Sequence, residues 1–285
     1  MWFFVSDLHG KADRYRKLFD VASRECPGAI LIGGDLLPSG LVSGHAIDPA
    51  HYDFVDGFLS PGFDGLRARL GTAYPRVCLI LGNDDPRMEE AGLIEAGAGG
   101  LWEYVHDRHV EYGGVRVYGY SYIPPTPFLL KDWERYDVSR YVDPGCSSPE
   151  EGWRSVPVAA AEAKYGTIQD DLRRLGGDGP LDDSVWLFHA PPHRTSLDRA
   201  ALDGLMVDHV PLDVHVGSVA IRRFIEDRQP RVTLHGHIHE SARLTGQWQQ
   251  RLGRTALLSA AHDGPELALV RFDPHDPASA TRELI

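Results

Sequence analysis

Short apolar runs recur along the chain at 2–5, 29–32, 77–81, 115–120, 185–188 and 232–234, each closed by a turn or a polar cluster. Runs of that length with that punctuation predict buried β-strands. Between several of them the apolar positions change to helical spacing. The spacing predicts helices over 12–24 (Tyr15, Leu18, Phe19, Ala22), 156–175 and 218–227, where Ser218 is placed as an N-cap before Ile221, Phe224 and Ile225. Strand and helix in alternation predict a layered α/β fold. Near the end, "TALLSA" and "ELALVRF" flank "AHDGP" and read as an antiparallel hairpin, so a mixed sheet is expected. Two stretches, 36–72 and 121–155, are long and rich in proline, glycine and aromatic residues. They read as inserts in a single domain spanning 1–285, of the kind that line or cover a site.

The polar residues matter by position. "SDLHG" puts Asp7 and His9 after the first run, and "GGDLLP" puts Asp35 after the second. "GNDD" places Asn83, Asp84 and Asp85 after the third, "HAPPH" places His189, and "LHGHIH" places His237 and His239 after the last. The carboxyl edge of strands is where open α/β sheets bind ligands. Carboxylates, imidazoles and one amide oxygen, with no thiolate, make a mixed O/N donor set that suits Mn, Fe, Zn or Ni. Two divalent ions need roughly seven or eight ligand positions with one carboxylate shared. Asp7, His9, Asp35, Asn83, His189, His237 and His239 supply that number. His235 still lies within its strand and reads as structural, with Gly236 marking a bend or a close approach.

Composition narrows the partners. Among 285 residues, 42% are hydrophobic, enough for one large core, and the formal net charge is −12. An acidic chain with no Lys/Arg block has no grip on a nucleic acid backbone and no attraction to a membrane surface. An anionic substrate then needs local positive charge, for which bound cations are the source. Cys26, Cys78 and Cys146 are scattered, giving neither a zinc ribbon nor a disulfide framework. With no signal-type start and no membrane-length run, the expected location is the cytoplasm. Oligomeric state is left open.

As an ordered set, "DLH", "GGD", "GND", "HAPP" and "HGHIH" resemble the blocks of the calcineurin-like metallophosphoesterases. With "PPTPF" (124–128) and "HVGS" (215–218), the chain looks similar to the bacterial and archaeal branch of small phosphoesterases. The resemblance implies a four-layer αββα sandwich, two mixed sheets flanked by helices, with the metal site at the carboxyl ends of strands. It implies one ion held by Asp7, His9, Asp35 and His239. A second would be held by Asp35, Asn83, His189 and His237, with Asp35 bridging. Asp35, Asn83 and His189 would then be the catalytic core, and a hydroxide bridging the metals would attack a phosphate mono- or diester of a small substrate. Two departures stand out: Pro38 replaces a second aspartate, and Asp84 replaces the histidine that usually follows the asparagine. An aspartate is normally ionised at pH 7 and a poor donor. Asp84 is therefore expected to orient Asn83 or His9, and the enzyme to favour aryl or anhydride leaving groups.

The alternative is a non-catalytic metal-binding interaction module on the same fold; decay of that kind strips ligands, and none is missing. A metallo-β-lactamase-type hydrolase needs a His-x-His-x-Asp-His block, which "HGHIHE" does not supply. His215 would orient a ligand or, preferably, cap the following helix, and His193 would rim the site or sit in solvent. Trp133, Tyr136 and Tyr141 are candidates to stack on a substrate or to pack their own insert, and Lys131 and Arg135 are candidate phosphate contacts.

Overall fold

The computed structural model describes residues 1–38 and 54–285. In chain order its strands begin with β1 (Trp2–Val5), β2 (Ala29–Gly33), β3 (Arg76–Ile80), β4 (Glu103–Tyr104), β5 (Arg108–Tyr112), β6 (Val115–Tyr120) and β7 (Ser184–Phe188). They continue with β8 (Met206–Val207), β9 (Val210–Pro211), β10 (Val232–His235), β11 (Gln249–Leu252), β12 (Thr255–Ser259), β13 (Ala268–Asp273) and β14 (Asp276–Leu284). The helices are α1 (Ala12–Glu25), α2 (Ser60–Leu70), α3 (Glu90–Gly97), α4 (Ala160–Tyr165), α5 (Ile168–Gly176), α6 (Val219–Arg228) and α7 (Ser241–Thr245).

The main strands form two six-stranded sheets, ordered β14-β13-β1-β2-β3-β4 and β11-β12-β10-β7-β6-β5. In the first, β1 to β4 run parallel and the last two strands of the chain add antiparallel. In the second, β6, β7, β10 and β12 run parallel between antiparallel edges. The central parallel strands are buried on both faces, which is why they read as continuous apolar runs. Alternate residues serve different layers. Phe4, Leu31 and Ile80 meet Val185, Leu187, Val232 and Leu234 between the sheets. Phe3, Val5, Ile30 and Ile32 face outward to Tyr15, Leu18 and Ala22 of α1, while Trp186 and Phe188 face Ile221 and Phe224 of α6. Helix, sheet, sheet and helix are thus stacked, as the resemblance implies.

Three expectations change. The C-terminal hairpin does not form: β12 pairs with β10 and β11, β13 with β1 and β14, so "AHDGP" carries the chain from one sheet to the other. The helix expected over 156–175 is two helices, because the chain is extended at Gly166 and Thr167 caps α5 through Asp170 N. The described part of the first insert is largely helical, with Phe63 and Leu66 of α2 buried, and Phe63 packed on Phe19 and Trp102. Gly57, Gly62, Gly65 and Pro61 obscure that helical spacing in the sequence. The rest of that insert, with His45 and His51, lies outside the described residues. Among the described residues no helix is long and apolar enough to cross a membrane.

Candidate metal centre

Because β1, β2 and β3 run parallel in one sheet and β7 and β10 in the other, their carboxyl ends deliver five loops to one edge of the sandwich. Asp7, His9, Asp35 and His239 place one ligand atom each within 4.8 Å of one another. His9 Nε2 and His239 Nε2 face each other at 3.2 Å, and His239 Nε2 is 3.4 Å from Asp7 Oδ1. Asp35 Oδ2 lies between two groups, 3.8 Å from His9 Nε2 and 3.4 Å from His189 Nε2. His189 Nε2 is 2.9 Å from Asn83 Oδ1, and the His189 and His237 rings are 5.2 Å apart. The structure therefore brings together all seven side chains that the sequence nominates.

Their setting favours a metal. His189 Nδ1 donates to Gly33 O at 2.8 Å, which leaves Nε2 to face Asn83 and Asp35, its lone pair open to a metal once the proton there is displaced. Asp7 is fully buried, and its Oδ2 has no hydrogen-bond partner among the described residues. A buried carboxylate oxygen without a donor is costly, and a cation is the natural complement. Two glycines make the crowding possible: a Cβ at Gly82 would run into Asp35 Oδ1, and one at Gly236 into Ser6 Oγ. Oxygen and imidazole donors at this separation fit a divalent metal ion.

Electrostatics in the protein alone point the same way. Burial pushes Asp7 up, but the hydrogen bond from His239 and the charges of His239, His189 and His9 hold it well below the carboxylate range. Burial opposes ionisation of Asp35 too, and His189 then His9 bring it down to about 2. His189 is pushed down by burial and lifted by Asp35 to about 10; His239, similarly buried, is lifted by Asp7 to about 8. Burial, with the charge of His189, lowers His237 to about 3. The carboxylates are thus kept anionic by imidazolium charge, the role that bound cations take over while displacing protons.

The other nominated residues fall differently. His235 is fully buried; its Nδ1 donates to Ala190 O at 3.0 Å and its Nε2 accepts from Thr233 Oγ1 at 2.8 Å. It is structural. Asp84 Oδ1 accepts from Asn83 Nδ2 at 3.1 Å and its Oδ2 is 3.4 Å from His9 Nδ1, so it touches both residues it was expected to orient. Burial and the charge of Asp35 raise its pKa. α6 is capped not by His215 but by Ser218 Oγ, which accepts from Ile221 N at 3.0 Å, with Asp137 accepting from Val219 N and Ala220 N. His215 and His193 instead line a cleft of ≈ 650 Å³ shared with Asp35, Asn83, Asp84, His237 and His239.

The second insert walls that cleft through Pro124–Phe128, Val138, Ser139, Tyr141 and Asp143–Cys146, with Phe128 and Tyr141 exposed. Trp133 and Tyr136 are buried and pack the insert down. Lys131 is also buried, pairing with Glu134 Oε2 at 2.6 Å, and Arg135 pairs with Asp171 at 2.9 Å; neither lines the cleft. Asp85 stands among the strand-end acids in the sequence, but its role there was missed. Asp85, fully buried, accepts from Leu36 N, Leu37 N and Gly82 N at 3.0, 2.8 and 2.8 Å, clamping the Asp35 loop to the Asn83 loop. Its only trace in the sequence is the doubled acid of "GNDD".

The model of the calcineurin-like phosphoesterase family matches residues 3–241. The chain belongs to the calcineurin-like phosphoesterases. A solved structure shares the fold: TT1561 of Thermus thermophilus is 15% identical with a TM-score of 0.55, covering 99% of this chain and 97% of that one. Weaker similarity extends to an archaeal phosphodiesterase, 11% identical with a TM-score of 0.48, covering 100% and 99%. It extends also to a dimetal phosphatase from Danio rerio, 13% identical with a TM-score of 0.47, covering 94% and 91%. No curated protein sequence matches. As a calcineurin-like phosphoesterase the protein has a clustered Asp/His site that can hold metal at the edge where its five blocks converge.

Proposed function

We propose that this protein is a two-metal phosphoesterase that hydrolyses small organic phosphate esters. The observation that carries the reading is Asp35, whose carboxylate stands between His9 on one side and His189 on the other. Asp7, His9, Asp35 and His239 would hold one ion, and Asp35, Asn83, His189 and His237 the other. Such ions supply charge for the non-bridging phosphate oxygens and a water acidic enough to act as nucleophile near neutral pH. The protein's own part is to fix the donors and shape the cleft. Asp85 and the buried Gly33 carbonyl lock the loops, and the insert limits access of water and substrate.

The lining also narrows the substrate. Among the described residues the cleft presents no Lys or Arg, while Asp137, Asp143, Asp213 and Glu240 share it with Phe128, Val138, Tyr141, Leu202 and Leu212. Beyond the phosphate, this wall favours an organic group that is apolar and carries no further negative charge. Nucleic acid backbones and polyphosphates fit it poorly.

The test is Asp35→Asn. Metal content measured by elemental analysis should drop, and hydrolysis of an aryl phosphate ester should fall by about 100-fold or more. Wild-type metal content and activity in this variant would show that Asp35 bridges nothing.

A further inference from the structure

A proton donor for the leaving oxygen is missing from the place where the resemblance puts one. Position 84 holds an aspartate engaged with Asn83 and His9. Another imidazole reaches the same cleft from a different loop. His215 lies between β9 and α6, and with His193 it lines the cavity that Asp35, Asn83 and His237 enter. Its Nδ1 is 2.8 Å from Oδ1 of Asp198, which is 0% exposed. A carboxylate only accepts, so Nδ1 carries the hydrogen, and Nε2 is left as the ring's working atom. Among the described residues Nε2 of His215 meets no hydrogen-bond partner, and the side chain is 30% exposed.

Asp198 does not need the histidine for its own satisfaction. It already accepts from Arg194 N, Thr195 N and Gly217 N at 2.8, 2.9 and 3.2 Å. These three bonds fix the carboxylate rigidly, and its bond to His215 then fixes the tautomer and orientation of the ring. His193 is the rival group, but its Nδ1 stands 3.8 Å from Asp198, beyond hydrogen-bond reach, with its ring 6.2 Å from that of His215. Charged groups nearby include Asp213, which accepts from the His215 backbone N–H at 2.8 Å, and Arg199, paired with His215 through a backbone bridge.

We propose that His215, positioned by Asp198, protonates the leaving group, a step that rests on the phosphoesterase reading above. As the water-derived nucleophile forms its bond to phosphorus, the bond from phosphorus to the ester oxygen breaks and its electron pair stays on that oxygen. The Nε2 proton of His215 moves to it, releasing a neutral alcohol. The neutral imidazole regains a proton from the next water, whose remaining hydroxide is the next nucleophile, so one water is consumed per ester cleaved. With this donor in place the protein does not need an aryl or anhydride leaving group, and the preference expected from Asp84 alone does not hold.

The experiment compares one alkyl and one p-nitrophenyl phosphate ester on the metal-loaded wild type, His215→Ala, His215→Gln and His193→Ala. The alkyl rate should fall by about 100-fold or more in both His215 variants, a loss typical of a removed general acid. The p-nitrophenyl rate should stay close to wild type, because that leaving group departs without a proton. Metal content should be unchanged, and His193→Ala should leave the ratio of the two rates as it was. Equal losses on both esters, an unchanged alkyl rate, or a selective alkyl loss in His193→Ala instead would overturn the proposal while leaving the phosphoesterase reading intact. A metal-loaded wild type inert toward both esters would overturn both.

Discussion

Asp7, His9, Asp35 and His237 all adopt positive φ, at 57°, 47°, 51° and 72°. A left-handed backbone costs a non-glycine residue on the order of 1–3 kcal/mol and survives only where the surroundings enforce it. Here cross-loop bonds do so: Asp7 N donates to Gly34 O at 3.0 Å and His9 N to Asp35 O at 2.8 Å. Several of the chain's strained residues are thus ones the proposed chemistry needs, and His235, which belongs to a regular strand, is not among them. The two neighbouring histidines should therefore separate by experiment. His237→Ala should lower metal content with little loss of thermal stability. His235→Ala should keep the metal and lose stability by about 1–3 kcal/mol, because Ala190 O and Thr233 Oγ1 lose a buried partner. Metal loss in His235→Ala equal to that in His237→Ala would reverse the assignment. This division was legible in the sequence because Gly236 ends the strand between them. Asp85 and Asp198 were not, since each accepts backbone N–H groups from loops, and such a role imposes no spacing or residue type on its donors.

At the level of elements, the insert is both wall and brace. Trp133 Nε1 donates to Asp85 O at 2.8 Å, Asp132 accepts from Arg87 N at 2.8 Å, and Asp137 helps cap α6. Removing the whole segment would disturb the loop carrying Asn83, so selectivity is better probed at its rim. Phe128→Ala and Tyr141→Ala should raise KM for esters of bulky apolar alcohols by about 10-fold, with metal content and the rate on small esters preserved. A change confined to kcat would mean that these rings do not contact substrate. The brace should also be acid-sensitive. His106 sits at the base of the insert, accepting from Ser121 N at 3.0 Å with its ring 4.9 Å from that of Trp133. Burial, then Arg87 and other arginines, lowers it from 6.5 to about 3. As pH falls, the unfolded chain takes the proton first, so the stability it contributes is complete above roughly pH 6.5 and lost toward about pH 3. His106→Gln, which keeps an acceptor for Ser121, should show a shallower fall in melting temperature between about pH 7 and about pH 5. An identical slope would place the acid sensitivity elsewhere. The strands were readable because burial on both faces makes them continuous. The false hairpin shows the limit: "AHDGP" has turn chemistry, but membership of a sheet depends on partners distant in sequence.

For the molecule as a whole, an acidic composition and a cleft with no Lys or Arg among its described residues mean that, on the proposed function, bound cations would supply the attraction for phosphate. The order of strands within the first sheet has a further consequence, in the time course of synthesis. β1 leaves the ribosome long before β13, yet β13 is one of its two neighbours, with Trp2 opposite Phe272 and Phe4 opposite Val270. Until β13 has been made, β1 has one open apolar edge, and an open edge of that kind is a template for pairing with other chains. A chain cut before Ala268 should therefore come out of the cell in aggregates rather than as a less stable monomer, and a soluble, metal-binding product would show that β1 is protected by other means. Contacts between segments so far apart in sequence are slow to form, and they are vulnerable for as long as they are awaited. The strand that leads into Asp7 and His9 thus waits on one of the last strands of the chain for its second neighbour.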